Sequence, residues 1–354
     1  MKVTVIGAGN GGQGIAGYLG MTGHEVVLYN RNIDKLKPIQ DGHGITLKGA
    51  IEGFGKIELV TNDIELAIKG ADIIMIATTA NAHKDIAKKM CPFLKSGQSI
   101  VLNPGRTCGS IEFRNVLKEN NVDENIYVGE AQSLVFACRK EGEGIVNIIG
   151  MKKMVMFSAY PSSDTNHIML LLSQLFDCFI PVQNVLLTGL ENIGAIFHPA
   201  IVLFNAAAIE RKNMFYFYQD MTPTIASFLQ RLDEERLRVG SAFDMDLIHA
   251  NNWISTAYSM LSEGSLCEKM RSNPAYNNIL APDSLASRLI TEDIPTGLLP
   301  ISELGKMVNV DCPLMKSVST ICQTLLNLDF YETGRTLFSL GLENLSKEDF
   351  IKSL

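Results

Sequence analysis

Lys2-Val3-Thr4-Val5-Ile6-Gly7-Ala8-Gly9-Asn10-Gly11-Gly12 is the stretch that decides the fold. A β-branched apolar run leads straight into G-x-G-x-x-G, and small residues follow at Gly14, Ala16 and Gly17. The order is strand, glycine turn, helix. The first glycine permits the tight turn, Gly9 lets the backbone approach a pyrophosphate, and Gly12 lets the helix pack closely on the strand. The amides of a helix N-terminus then face the anion. Gly7, Gly9, Asn10, Gly11 and Gly12 therefore form a candidate dinucleotide-binding loop; a ligand-free glycine turn is the alternative.

The next apolar run ends Leu28-Tyr29-Asn30-Arg31. At the end of the second strand, NAD-preferring proteins place an acid that bonds the ribose 2′-hydroxyl. A neutral Asn30 removes the repulsion such an acid exerts on a 2′-phosphate, and Arg31 can pair with that phosphate and stack on adenine. The pair favours NADP over NAD. If Arg31 is merely a solvated loop charge, either cofactor is accepted.

Working outward, strand-like runs at Val3 to Ile6, Val26 to Tyr29, Ile73 to Ala77, Ile100 to Asn103 and Ile126 to Val128 alternate with amphipathic stretches. The helical stretches are Gly12 to Met21, Ile33 to Gln40, Ile64 to Lys69, His83 to Cys91 and Ser110 to Asn120. Such alternation predicts a parallel sheet wrapped by helices. A hairpin across Met151-Lys152-Lys153 is expected to extend the sheet, with a helix from Asp164 to Leu175 after it. From about Val185 the periodicity is helical, with helices at Leu190 to Lys212, Thr224 to Val239, Asn251 to Glu263, Ile301 to Val308 and Pro313 to Asn327. The fold class is α/β, a Rossmann-type parallel-sheet domain over 1–185 followed by an all-α domain over 186–354. A cleft between the halves is expected.

The length of 354 residues agrees with two cores, since a single core stops growing near 250 to 300 residues. Apolar residues make up 46% and charged ones 19%, so no part reads as disordered. A formal net charge of −7 argues against nucleic acid or an anionic membrane as partner and points to small molecules. Seven scattered cysteines without a C-x-x-C pair read as reduced cytoplasmic thiols, and no metal site is expected. Ile193 to Ile209 carries no formal charge but holds His198, Pro199 and Asn205. Those residues are costly in lipid, so the segment is expected to be a core helix.

Ligands bind open α/β sheets at the carboxyl ends of the strands. Thr78-Thr79-Ala80-Asn81-Ala82 and Asn103-Pro104-Gly105-Arg106-Thr107 are loops at that edge, and Glu130 has a similar position. Thr78 is a candidate cofactor contact. Arg106 suits a carboxylate or the nicotinamide end, against the alternative of a structural turn with an exposed arginine; Glu130 suits an ammonium group. In the second half His198 precedes Pro199 inside an apolar helix, where proline deletes one hydrogen bond and a kink is expected. A histidine there is either aimed at the cleft or satisfied within the core. Arg288, Glu292 and Asp293 precede a Pro-Thr-Gly turn, and spacing alone does not bring Asp293 to His198.

These segments resemble the octopine/nopaline (opine) dehydrogenase family. The match is carried by the Gly7 to Gly12 fingerprint, VLNPGRTCGSIEF (101–113), GEAQSLVFACR (129–139), HPAIVLFNAA (198–207), LDEERLRV (232–239), RLITEDIPTGLLPISELG (288–305) and TGRTLFSLGL (333–342), in family order. The resemblance implies an NAD(P)-dependent oxidoreductase that joins an amino acid to a 2-oxo acid, often pyruvate, and reduces the C=N bond. It places the catalytic histidine on His198, its partner aspartate on Asp293 and an anion-holding arginine on Arg288, and makes Arg106 and Glu130 substrate contacts. Histidine can carry out the required proton transfers near neutral pH, and an aspartate on its other ring nitrogen fixes the tautomer. Where relatives tend to have threonine this chain has Ala131 or Ser133, which puts those contacts in doubt. Phe215 to Tyr218, Trp253 and Tyr258 are candidates for an apolar amino-acid pocket or for core. The alternatives are a 2-oxo-acid or ketopantoate-type reductase acting on C=O, and a nucleotide-sensing protein without turnover. A homodimer through the apolar helix Pro313 to Leu328 suits the pattern as readily as a core does.

Overall fold

A computed structural model describes residues 1–122, 125–258 and 263–354, in two compact units. The first is Met1–Thr188 together with Leu354, and the second is Gly189–Ser353. The division falls three residues beyond the expected 185/186, because Thr188 is tied back into the first unit by a 2.8 Å hydrogen bond from its hydroxyl to Glu130 Oε1.

The strands of the first unit are β1 (Lys2–Ile6), β2 (Glu25–Tyr29), β3 (Gly44–Gly49), β4 (Gly53–Lys56), β5 (Leu59–Thr61), β6 (Ile73–Ile76), β7 (Ser99–Leu102), β8 (Tyr127–Ala131), β9 (Phe136–Gly142), β10 (Ile145–Met151), β11 (Val155–Ala159) and β12 (Phe179–Pro181). Eight of them form one sheet in the order β12-β11-β8-β7-β6-β1-β2-β5. From β8 to β5 every pairing is parallel; β11 joins β8 antiparallel, and β12 runs parallel to β11. The strand order reverses at β1, where β2 lies on one side and β6 on the other. Both faces of the sheet carry core: Val3, Val5 and Leu28 on one, Ile6, Ile74 and Ile100 on the other, all fully buried. Each such side chain contributes about 1.5–3 kcal/mol on burial.

The remaining four strands form a separate sheet, β4-β3-β10-β9. This overturns the hairpin expected across Met151-Lys152-Lys153. β10 pairs with β3 and β9, whereas β11 pairs with β8 and β12, so the lysine pair links two sheets instead of turning within one. β3 and β4 are short and carry glycines at Gly44, Gly49, Gly53 and Gly55, and both pack on the helix Asn10–Met21. A Cβ on Gly55 would lie 1.8 Å from Gly17 O, so the strand rests directly on the helix backbone. The small residues of that helix therefore serve a second sheet as well as β1.

Among the described residues no strand follows β12, in keeping with an all-α second half. The long helix expected at Leu190 to Lys212 is broken into Val185–Leu190, Ile193–Phe204 and Ala206–Glu210. Val185–Phe204 is long and apolar enough to cross a membrane, but 83% of its most apolar window is buried within the protein, which identifies a core helix. The helix expected at Asn251 to Glu263 is described as Ala250–Tyr258; residues 259–262 lie outside the described residues.

The second unit is held by a buried ionic knot. Arg236, fully buried on the helix Pro223–Ala242, donates to Asp233 Oδ1 (2.8 Å), Leu190 O (3.0 Å) and Ile248 O (2.5 Å), with Glu191 Oε2 at 3.5 Å. Asp233 and Glu191 accept in turn from the amides of Ala250 and Ile248, both at 2.7 Å. Glu235 accepts from the amides of Leu314 and Met315, capping the helix Pro313–Leu326. Thus the LDEERLRV segment fastens three other parts of the unit. Removing one member of a buried pair strands the other charge, at about 3–5 kcal/mol. Arg236→Ala is accordingly expected to lower stability by about that amount in urea unfolding, and a loss below about 1 kcal/mol would contradict an anchoring role.

Candidate active site

The glycine turn adopts the geometry that a phosphate-binding loop needs. Gly7 has φ +103°, a left-handed value that favours glycine, and a Cβ on Gly12 would lie 1.8 Å from Gly7 O. At Gly9 nothing comes within 4 Å of a Cβ, so the loop is open at the position where a pyrophosphate approaches. The helix Asn10–Met21 has no side-chain N-cap, leaving its first-turn amides to face an anion. Asn30 Oδ1 accepts from Ala8 N at 3.4 Å, which sets Asn30 beside the loop, and Arg31 is exposed.

The loop is also gripped from the second sheet. Lys140 N donates to Asn10 Oδ1 (3.2 Å), Gly144 N donates to Gln13 Oε1 (3.0 Å), and Gln13 Nε2 donates to Ala8 O (2.9 Å). Sequence reasoning passes over Gln13, because a glutamine in a helix carries no signal until its long-range partners are known.

Three loops emerge at the carboxyl ends of β6, β7 and β8. Thr78 Oγ1 and Asn103 Oδ1, after the neighbouring strands β6 and β7, are buried without a hydrogen-bond partner. Unpaired buried polar atoms are costly, and at this edge they fit the polar nicotinamide end of a dinucleotide. The loop after β7 folds onto β8 through Gly105 N donating to Ala131 O (3.1 Å) and holds half-buried Arg106 at φ +60°. Left-handed backbone in a residue other than glycine costs about 1–2 kcal/mol, so the fold imposes this orientation on the arginine. Glu130, expected as an ammonium contact, has hydrogen-bond partners within its own unit. It is fully buried, Oε2 accepting from Ser110 N (2.7 Å) and Oγ (2.8 Å) and Oε1 from Thr188 Oγ1. Those bonds tie the carboxylate to the helix after the β7 loop and to the end of the first unit.

In the second unit, His198 and Asp293, 95 residues apart in sequence, meet: His198 Nδ1 lies 2.6 Å from Asp293 Oδ2. Asp293 is fully buried, while His198 keeps 18% of its side chain exposed. A carboxylate accepts only, so Nδ1 carries the proton and Nε2 presents a lone pair. That lone pair accepts from Tyr218 OH at 3.0 Å. Tyr218 in turn stacks on Tyr276 (centroids 4.0 Å apart) and meets Phe217 edge-on (4.9 Å). Tyr258 is hydrogen-bonded to Tyr276, and burial raises the pKa of both phenols. The sequence offered Tyr218 and Tyr258 as pocket lining; only the fold reveals that Tyr218 touches the histidine.

The close approach of Asp293 depends on the turn immediately after it. Ile294–Leu298 forms one π-helical turn, closed by Leu298 N donating to Asp293 O (3.1 Å), and it packs against the helix Ile193–Phe204. A Cβ on Gly297 would lie 2.4 Å from Ala195 Cβ, so only glycine lets the turn come this near. Arg288 begins the short helix Arg288–Thr291; its side chain is 59% exposed and its guanidinium pairs with Glu292 at 3.5 Å.

Comparison with known proteins agrees with these elements. Residues 2–105 match the NAD-dependent glycerol-3-phosphate dehydrogenase N-terminus, and residues 181–326 match the NAD/NADP octopine/nopaline dehydrogenase α-helical domain. The structure of octopine dehydrogenase with NADH and agmatine aligns with a TM-score of 0.82 at 20% identity, over 100% of this chain and 98% of that one. NADP⁺-bound yersinopine dehydrogenase aligns with a TM-score of 0.73 at 15% identity, over 100% and 97%. At such identities the likeness speaks for the fold. The opine dehydrogenase of Arthrobacter sp. (strain 1C) is 37% identical over 344 residues, 97% of this chain and 95% of the relative. With that identity along nearly the whole of both sequences, the chain belongs to the opine dehydrogenase family of NAD(P)-dependent oxidoreductases.

Proposed function

We propose that the enzyme condenses the amino group of an amino acid with a 2-oxo acid of the pyruvate type and reduces the resulting C=N bond. The observation that carries this reading is the 2.6 Å contact of His198 with a fully buried Asp293. Bound NAD(P)H supplies the hydride; the chain's own residues manage protons and charge.

Asp293 holds Nδ1–H, which directs the basic nitrogen Nε2 outward and steadies the imidazolium once it forms. In its protonated form His198 hands a proton to the departing hydroxyl of the carbinolamine, so that water leaves and the iminium remains, its nitrogen keeping its own proton. Tyr218 occupies Nε2 at rest and yields it to the substrate. Arg288 can offer a fork to the oxo-acid carboxylate, giving up only an ion pair that is exposed on the arginine side and worth at most about 1 kcal/mol. The turn from Gly7 to Gly12 and the first amides of its helix hold the pyrophosphate, and Thr78 the nicotinamide half. We assign Asn30 and Arg31 to a 2′-phosphate, making NADP the preferred cofactor. Glu130 keeps the Arg106 loop in place and does not touch the substrate. We read the enzyme as cytoplasmic and dimeric; exposed Ile321 and Leu325 on the helix Pro313–Leu326 support a contact with a second copy.

His198→Ala is expected to abolish turnover while NADPH still binds with unchanged affinity in a fluorescence titration. Asp293→Asn should lower kcat about 10²- to 10⁴-fold, since the amide can favour the wrong tautomer. Near-normal rates in either variant would remove the dyad from the mechanism. NADPH oxidation with pyruvate should depend on an added amino acid, whereas a rate with the oxo acid alone would favour a reductase of C=O. KM for NADPH should lie at least about tenfold below that for NADH, and Arg31→Ala should erase the difference. A clear NADH preference in the unmodified enzyme would overturn the assignment of Asn30 and Arg31.

A further inference from the structure

Both residues that flank Gly9 are tied to one hairpin of the four-stranded sheet. Gln13 is fully buried on the helix Asn10–Met21, and its backbone amide donates to Gly9 O at 3.0 Å. Its side chain makes three further bonds: Nε2 donates to Ala8 O (2.9 Å) and to Glu143 Oε2 (2.5 Å), and Oε1 accepts from Gly144 N (3.0 Å). Glu143 and Gly144 are the two-residue turn between β9 and β10, and Gly144 holds φ +81°, a left-handed value that favours glycine. The other oxygen of Glu143, Oε1, accepts from Lys140 Nζ at 2.7 Å, and the backbone amide of the same Lys140 donates to Asn10 Oδ1 at 3.2 Å. Cys138, also on β9, gives its thiol to Asn10 O at 3.3 Å.

These bonds close a ring through Ala8, Gln13, Glu143, Lys140 and Asn10, with Gly9 joining its two ends along the chain. Nothing lies within 4 Å of a Cβ on Gly9. The ring therefore fixes the backbone on either side of the point where a pyrophosphate approaches and leaves that point open. The ammonium of Lys140 offsets the carboxylate of Glu143, so the hairpin brings no uncompensated negative charge of its own to this end of the helix. A loop with glycine at positions 7, 9, 11 and 12 samples many backbone states when unrestrained. A dinucleotide binds only the competent fraction, and its apparent dissociation constant rises as that fraction falls.

We propose that Gln13, backed by the Glu143–Lys140 pair, is a positioning residue for the cofactor: it presets the Gly7 to Gly12 loop for the pyrophosphate. The β9–β10 hairpin then sets dinucleotide affinity without touching the reacting atoms. Because this role rests only on the chain binding a nicotinamide dinucleotide, it is independent of the substrates that are condensed.

Gln13→Met keeps the length of the side chain and removes its three bonds. Dissociation constants for NADPH and for NADH, from fluorescence titration without substrate, should rise together by roughly fivefold to thirtyfold, since both nucleotides carry the pyrophosphate. With saturating NADPH, kcat and the KM for each substrate should stay within about twofold of the unmodified enzyme. Gln13→Glu supplies a readout that a merely structural role would not move. The oxygen replacing Nε2 faces two acceptors, Ala8 O and Glu143 Oε2, so the ionised form is repelled, whereas the protonated form donates again. Burial beside a carboxylate raises the pKa of such a group, so protonation and its hydrogen bond return as pH falls. Relative to the unmodified enzyme at each pH, the NADPH affinity of Gln13→Glu should be weak at about pH 8 and recover several-fold toward about pH 6. Unchanged dinucleotide affinity in Gln13→Met, a loss confined to kcat, or a defect in Gln13→Glu that ignores pH overturns the proposal. If Gln13→Met does not fold, Glu143→Ala carries the test at the hairpin turn: both dissociation constants should rise at least about threefold, and unchanged values overturn the proposal. Failure of the condensation reading would appear instead as no turnover with any substrate pair while the Gln13 variants still differed in dinucleotide affinity.

Discussion

The contact between His198 Nδ1 and Asp293 Oδ2 is the constraint around which the second unit is organised. Two side chains 95 residues apart must meet to within 2.6 Å, with the carboxylate wholly out of water. Each is delivered by a separate device. The helix Ile193–Phe204 carries His198, and Arg236 clamps Leu190 O and Glu191 just ahead of that helix. Asp293 comes at the head of a π-helical turn whose Gly297 rests against Ala195, three residues before His198. A π-turn is uncommon and inserts one residue into the helical ladder, which here lets the segment sit flush on its neighbour. The knot at Arg236 and the notch at Gly297 therefore serve one geometry.

A parallel economy governs the first unit. A glycine-rich loop loses more backbone entropy on ordering than any other segment, so it needs external support. That support comes from the four-stranded sheet, whose Lys140 and Gly144 amides hold Asn10 and Gln13. Close contact between Gly55 and Gly17 keeps this sheet against the helix that the loop opens. The loop is thus held from outside by elements distant in sequence, and its own residues stay free of side chains that would block a pyrophosphate.

Legibility in sequence tracks the range of the interaction. Strand β1, the glycine turn and its helix are local patterns, and they stand as expected. So does the all-α character of the second unit. The family motifs also drew attention to His198 and Asp293 as a pair. The second sheet was missed because β3 and β4 are short runs interrupted by glycine that depend on the helix they cover. Met151-Lys152-Lys153 looked like a hairpin turn because β10 and β11 are both strands; nothing local states that they join different sheets. Glu130 stood at the edge where ligands bind, but its partners Ser110 and Thr188 are 20 and 58 residues away. Tyr218 could be named as aromatic lining, whereas its hydrogen bond to Nε2 required the fold.

The placement of charge separates stability from function. Replacing a buried ionic group with apolar residues of similar volume is often neutral or stabilising, so burial of Asp293 is not justified by stability alone. The knot at Arg236 differs in kind, because its bonds to Asp233, Leu190 and Ile248 all tie down backbone or side chain within the unit. Asp293 instead faces the ring of His198, whose other nitrogen meets the hydroxyl of Tyr218. The bonds at Arg236 end on groups of the scaffold, whereas the pair of His198 and Asp293 ends on a tyrosine hydroxyl. By that difference Asp233, Glu235 and Arg236 belong to the scaffold, which leaves Asp293 and His198 as the pair on which the proposed proton transfers rest.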